Sequence, residues 1–296
     1  MGAHSWAHYC RAAFVRSVAR AAARCPGPGE APPEKIHELR KTLKEARAIG
    51  RLFLGGLGEP ARVTIAALAA IRRHTGRARD LHVMAHRLER LEAPPEVAGP
   101  LMAAIERERE AARRANRGLG AGTSRARLAA IVRRVEGWDV SAVGRDEVVA
   151  AVARTYRQAR RRGRRAFASE DPALLHAFRA RVVDLRYQLA LLSCAWPEAL
   201  NAQAEALNEL REALGDHHDL HVLAEFAAES GALEPEALAQ LRERADAKQQ
   251  KLRRRAEIES GRLFAETPRA FAARLDAYLA RPVSPPAAKQ DEPPHD

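Results

Sequence analysis

The chain has 296 residues and a mass of 32.5 kDa, enough for one large domain or two ordinary ones with cores of their own, which excludes a short scaffold stapled by disulfides or metal. Fifty Lys and Arg against 38 Asp and Glu leave a formal charge of +12, a surplus that points to polyanionic partners. Only six of the basic residues are lysines; arginine forks meet phosphate oxygens two at a time, although a GC-rich genome gives the same bias.

Ala, Leu, Arg and Glu dominate, and β-branched and aromatic residues are sparse, so the periodicity is helical and the chain reads as all-α. At the amino terminus, MGAHSWAHYCRAAFVRSVARAAARC scatters arginines where a secretory leader needs an apolar stretch, so no leader is expected; an Arg-rich, acid-free start is also that of an organellar transit peptide. Within it Arg16, Arg20 and Arg24 stand at i, i+4 and i+8, a row that can clamp phosphates at regular spacing. Pro- and Gly-rich breaks at Cys25 to Pro33, Gly55 to Pro60, Glu92 to Glu96, Gly118 to Ser124, Ser169 to Pro172 and around Pro197 divide the chain into helices. From Ser284 the Pro-rich, acidic stretch SPPAAKQDEPPHD, 284–296, has too few apolar residues to pack and reads as disordered.

The second predicted helix carries two stripes. With His37 at zero and about 100° per residue, Arg40, Lys41, Lys44, Arg47 and Arg51 fall within about 80° to one side or 40° to the other. Ile36, Leu39, Leu43, Ala46 and Phe53 form an adjoining apolar face, and Glu38 and Glu45 are the only acids between His37 and Arg51. Like charges at i,i+4 repel, so such a stripe weakens its own helix unless an anion neutralises it; the alternative is a solvated face.

A fixed offset of 139 then relates two parts of the chain. HELRKTLKEAR (His37 to Arg47) lines up with HAFRARVVDLR (His176 to Arg186), and GRARDLHVM (Gly76 to Met84) with GDHHDLHVL (Gly215 to Leu223). The chain is thus a tandem duplication of a unit of four or more helices, with units expected over 4–136 and 145–280. The second copy keeps His176, Arg179 and Arg186 but has Ala180 and Val183 in place of Lys41 and Lys44. The helix before it compensates with seven arginines between Arg154 and Arg165, of which Arg157, Arg161 and Arg165 are read as counterparts of Arg16, Arg20 and Arg24.

Asp80 and Asp219, kept in both copies, are expected near a helix start, where a carboxylate caps free amides, with His82 and His221 structural beside them. The pairs His82/His86 and His217/His221 have metal-site spacing, but neither recurs in the other copy, so no metal is expected. There is no GxxxxGK[ST] loop, GxGxxG, GxSxG or HExxH, hence no catalytic set and no cofactor site in view. Cys10, Cys25 and Cys194 stand apart with no CxxC pair, and no apolar run approaches about 20 residues, so a cytoplasmic chain without a membrane span is expected.

The motifs HELRKTLKEARAIGRLF, GRARDLHV, HAFRARVVDLRYQLALL and LREALGDHHDLHVL together resemble the CHAD family, the conserved histidine α-helical domain, over about residues 4–280. The resemblance implies two pseudo-symmetric helical bundles whose basic, histidine-bearing helices line a central cleft. It also implies binding of inorganic polyphosphate and targeting to polyphosphate granules. Carried over by position, His37, Arg40, Lys41, Lys44 and Arg47, with His176, Arg179 and Arg186, match the family's basic motif, and the departures at Ala180 and Val183 imply asymmetric binding. No ExExK motif of a triphosphate tunnel domain occurs, so the chain reads as a stand-alone, non-enzymatic binding module. Nucleic-acid binding through the duplex backbone is the alternative; aromatics are only 14 of 296 residues, few for stacking on single strands. A polyphosphate-processing enzyme would need a metal-holding acid cluster that the sequence does not display.

Overall fold

A computed structural model describes residues 6–26, 33–73, 76–116 and 121–280, and the tail expected to be disordered lies outside these. Among the described residues there is no strand. The helices are α1 (Trp6–Ala23), α2 (Pro33–Gly50), α3 (Glu59–Arg73), α4 (Gly76–Leu91), α5 (Pro95–Asn116), α6 (Ala121–Glu136), α7 (Arg145–Phe167), α8 (Pro172–Leu192), α9 (Pro197–Ser230), α10 (Pro235–Leu263) and α11 (Pro268–Leu279). Single 3-10 turns extend α2 through Arg51–Phe53 and α8 through Ser193–Ala195. Prolines open most of these helices because a first-turn residue needs no amide donor. Two starts are also capped: the Asp171 carboxylate accepts from the Ala173 amide at 2.9 Å, and the Thr267 hydroxyl from the Ala270 amide at 3.1 Å.

Helix starts recur at the offset found in the sequence. Trp6 and Arg145 open α1 and α7, and Pro33 and Pro172 open α2 and α8; Pro95 and Pro235, one residue off that offset, open α5 and α10. The stretch that holds α3 and α4 in the first unit is the single 34-residue helix α9 in the second. Ala213 and Leu214, buried helix formers, carry α9 through that point and Gly231, at φ 60°, ends it. Asp219 and His221 therefore sit inside α9 and cap no helix start, which corrects the expectation for that pair.

The buried side chains form two clusters, and neither belongs to one unit. The larger joins α1, α2, α3, α6, α7, α8 and α11 with the first half of α9 and the end of α10. The smaller joins α4 and α5 of the first unit to the second half of α9 and the start of α10. Phe14, Phe53 and Trp138 anchor one end of the large cluster with ring centroids 5.5–6.4 Å apart, and Tyr156, Phe264 and Phe271 the other. Gly50 lies where α2 meets this first aromatic group: a Cβ there would stand 2.9 Å from Phe14 Cζ and 3.2 Å from Ile65. Gly50→Ala is expected to lower stability by about 1–3 kcal/mol through overpacking, read from the midpoint of urea unfolding.

Burial also fixes how α1 and α7 correspond. Cys10, Ala13, Phe14, Ser17, Val18 and Ala21 recur as Val148, Ala151, Val152, Thr155, Tyr156 and Ala159, an offset of 138. Arg16 thus corresponds to Arg154. The pairing of Arg16, Arg20 and Arg24 with Arg157, Arg161 and Arg165 is instead a shift of 141, which rotates the stripe by about 60° and sets buried Ser17 and Ala21 on the half-buried Gln158 and Arg162.

Candidate anion-binding site

Helices α2 and α8 pack directly on one another across the repeat boundary. The Gln188 amide, fully buried, donates to the Ala48 carbonyl at 2.9 Å, and the Tyr187 hydroxyl reaches the Lys41 carbonyl at 3.5 Å. Farther along, Arg51 approaches Asp184, so the two helices cross with opposed chain directions. This crossing brings the two basic stripes together.

The arginines shared by both copies hold their helices in place. Arg40, only 9% exposed, donates to the Arg72 carbonyl at 3.2 Å; Arg179 donates to the Arg211 carbonyl at 3.4 Å, the same bond one repeat later. Gly215 makes room for the second: a Cβ at that position would lie 3.0–3.2 Å from the Arg179 guanidinium nitrogens. The pairs Arg40/Arg179 and Gly76/Gly215 are retained together because the large side chain lies across the small one, a reading shown here for the second copy.

Around the crossing, charge accumulates on one side. Arg51 Nε stands 3.1 Å, and the Arg181 terminal nitrogen 3.0 Å, from the same Asp184 oxygen, with Asp184 only 7% exposed. Arg47 joins them. Burial and the charges of Arg51, Arg72 and Arg181 pull its guanidinium from 12.5 down to about 10, with Asp184 acting in the opposite sense. Buried Nε atoms of Arg47 and Arg181 have no hydrogen-bond partner. Arg181 is held down in the same way by burial, Arg51 and Arg162.

His176 extends this group on α8; partial burial and the charges of Arg179, Arg72 and Lys44 lower its pKa. Its ring lies 4.6 Å from that of His218 on α9, whose pKa burial and then His176, Arg179, His221 and His217 push down to about 4. The Asp184 carboxylate thus faces Arg47, Arg51 and Arg181, while Lys44, Arg72 and Arg179 act on His176, one of two imidazoles at the edge. Such an arrangement is suited to holding a multiply charged anion through charge-assisted hydrogen bonds.

The pseudo-equivalent place in the other half is neutralised. Glu45, the counterpart of Asp184, turns to α1 and pairs with Arg20 at 2.5 Å, while Arg24 meets Glu38 at 3.5 Å and donates to the Thr42 hydroxyl at 2.8 Å. The two acids of the α2 stripe are thereby spent on the arginine row of α1. Arg186 lies over the Tyr187 ring at 4.7 Å, and Arg211 pairs with Glu212 at 2.7 Å. His37 and Lys41 sit exposed beyond the crossing, with Lys41 3.8 Å from Glu38. On α7, Arg157, Arg161 and Arg165 are exposed, whereas Arg162 turns inward and donates to the Ala177 carbonyl at 2.9 Å.

Arg72, Arg181 and Asp184 stood outside the sequence-based site. They join it only through the α2–α8 crossing; the one cue in the sequence is Asp184 itself, an acid in the basic stripe of the second copy. Asp216 and Asp219 bind Arg87 of α4, the latter at 3.5 Å, and so tie α9 to the first unit. His221 pairs with Glu225 at 3.2 Å, and no group of three or more His, Cys, Asp or Glu side chains placed to hold a metal occurs among the described residues.

Residues 12–228 match the CHAD domain family. The fold is similar to that of the crystal structure of the CHAD domain from the plant Ricinus communis, with a TM-score of 0.56, 19% identity and 96% of each chain covered. No curated protein matches the chain. Among the described residues no helix is long and apolar enough to cross a membrane.

Proposed function

We propose that this chain, which belongs to the CHAD domain family, binds inorganic polyphosphate along the cationic side of the α2–α8 crossing and thereby docks on polyphosphate granules in the cytoplasm. The family is associated with polyphosphate binding in general. The observation that carries the reading is the imbalance at the crossing, where Arg47, Arg51 and Arg181 face the carboxylate of Asp184 and Arg72 adds its charge to that acting on Arg47. A chain of phosphates offers repeated charge and no bases to be read, so arginine forks fixed in a half-buried floor are a sufficient receptor. In this reading the protein binds without turning its ligand over.

The test is a competition titration of labelled long-chain polyphosphate against duplex DNA, RNA and heparin matched in charge, at physiological salt, with wild type and Lys44→Glu. Lys44 lies at the edge of the cluster, half-buried, and its reversal spares the bonds of Arg40 and Arg179. A preference for polyphosphate that falls about tenfold in the variant is expected, with a shallower dependence on salt. Equal competition by all polyanions, or a variant that binds as well as wild type, overturns the reading; preference for DNA replaces it with nucleic-acid binding.

A further inference from the structure

The outer face of α7 is charged in a way that the crossing does not use. Val148, Val152, Thr155, Ala159 and Ala166 lie on its buried stripe. At about 100° per residue, Arg157, Arg161 and Arg164 fall on the opposite side, and Arg165 on the flank between them and Arg162. All four are exposed, and α7 has no acid after Glu147. Among the described residues none of the four side chains forms a hydrogen bond or ion pair. The arginine row of α1 differs in this respect, since Glu45 and Glu38 neutralise Arg20 and Arg24. Like charges at i,i+4 work against helix α7, and three arginine forks spaced over about 10 Å present themselves to one extended anion.

The strip is continuous with the floor of the crossing. Arg162 is anchored to the Ala177 carbonyl, and its charge acts on Arg181. From there Arg165 and Arg161 lead around α7 to Arg157. We infer that the outer face of α7 is a second contact strip for the same polyanion, engaged only by chains long enough to leave the α2–α8 crossing; the inference rests on the polyphosphate reading above.

The experiment compares tripolyphosphate with long-chain polyphosphate on wild type, on Lys44→Glu and on Arg157→Glu/Arg161→Glu/Arg164→Glu, after circular dichroism and a melting curve show that each variant is folded. For the triple variant, long-chain affinity should fall about tenfold and its logarithmic salt slope shrink by about two, with tripolyphosphate affinity unchanged. Unchanged long-chain binding shows a merely solvated face, and an equal loss of tripolyphosphate merges the strip with the crossing; either overturns the inference. A larger loss for duplex DNA than for long-chain polyphosphate overturns it in favour of nucleic acid. Tripolyphosphate binding that survives Lys44→Glu overturns instead the placement of the ligand at the crossing. Wild type that binds neither length overturns both.

Discussion

Asp184→Asn is expected to cost the empty protein about 3–5 kcal/mol of stability and to recover much of it when polyphosphate is added. The carboxylate is 7% exposed and lies 3.1 Å from Arg51 and 3.0 Å from Arg181, so its neutral isostere leaves two largely buried guanidinium groups facing each other. Arg47, already lowered by its neighbours, loses the one opposite charge acting on it. For a chain of this size the melting temperature should fall by roughly 10 °C. A polyanion in the same place supplies the missing negative charge, so the variant should bind polyphosphate more tightly than wild type, with a steeper salt slope and a larger thermal shift. A variant that is destabilised and gains no extra protection from polyphosphate would show that Asp184 serves the fold alone. Differential scanning calorimetry with and without ligand reads both effects.

Lowering the pH from 7.5 to 5 is expected to tighten polyphosphate binding about thirtyfold. His218 titrates near 4 in the empty protein, depressed by burial and then by His176, Arg179, His221 and His217. Groups facing the His176/His218 pair are Arg179 on its own helix α8, Lys44 from α2, Arg72 from α3, and His217 and His221 on α9. Phosphates beside the ring favour its charged form; restoring its pKa to the ordinary 6.5 makes binding take up a proton, and linkage gives about the stated factor. The sign for stability is opposite. A histidine depressed in the folded state is protonated first in the unfolded chain, so the empty protein loses stability as pH falls from about 6.5 towards about 4. His176→Asn/His218→Asn should flatten the affinity profile and leave binding at pH 7.5 close to wild type. A flat profile in wild type would remove the imidazoles from the ligand's surroundings.

The all-α fold was legible in the sequence because helical periodicity and its breakers are local signals. The prolines at 33, 95, 172 and 197 stand where helices begin, and the 139-residue offset recurs in the helix starts. The α3–α4 stretch and α9 differ, however, without a Pro or Gly that distinguishes them, since Gly76 and Gly215 stand at the same point in both: a one-helix counterpart of two helices depends on Ala213 and Leu214 finding a buried place, a tertiary matter. The basic stripe on α2 was visible at helical spacing, but its division of labour was not. Arg40 reads as one more cation of the stripe, yet it is buried against the Arg72 carbonyl. Arg20 and Arg24 read as a phosphate clamp, yet they meet Glu45 and Glu38, the only acids among the cations of α2. Arg72 and Arg181 do not stand out in the sequence, since only the fold brings their charges to Arg47.

Because each buried cluster draws side chains from both units, half of this chain would expose α2 or α8 along the surface where they now cross. Two copies of such a half could cover that surface only by meeting face to face about a two-fold axis, at a concentration-dependent cost that the peptide link between the units removes. The link also releases the halves from identity. A symmetric pair must carry Lys44 twice or not at all, whereas a fused chain can keep a lysine on one side and Val183 on the other. It can likewise set one carboxylate among arginines while its twin, Glu45, faces away. The polarity of the cationic side, strong at one end and quenched at the other, is therefore a property open to a single chain and closed to a symmetric dimer of its halves.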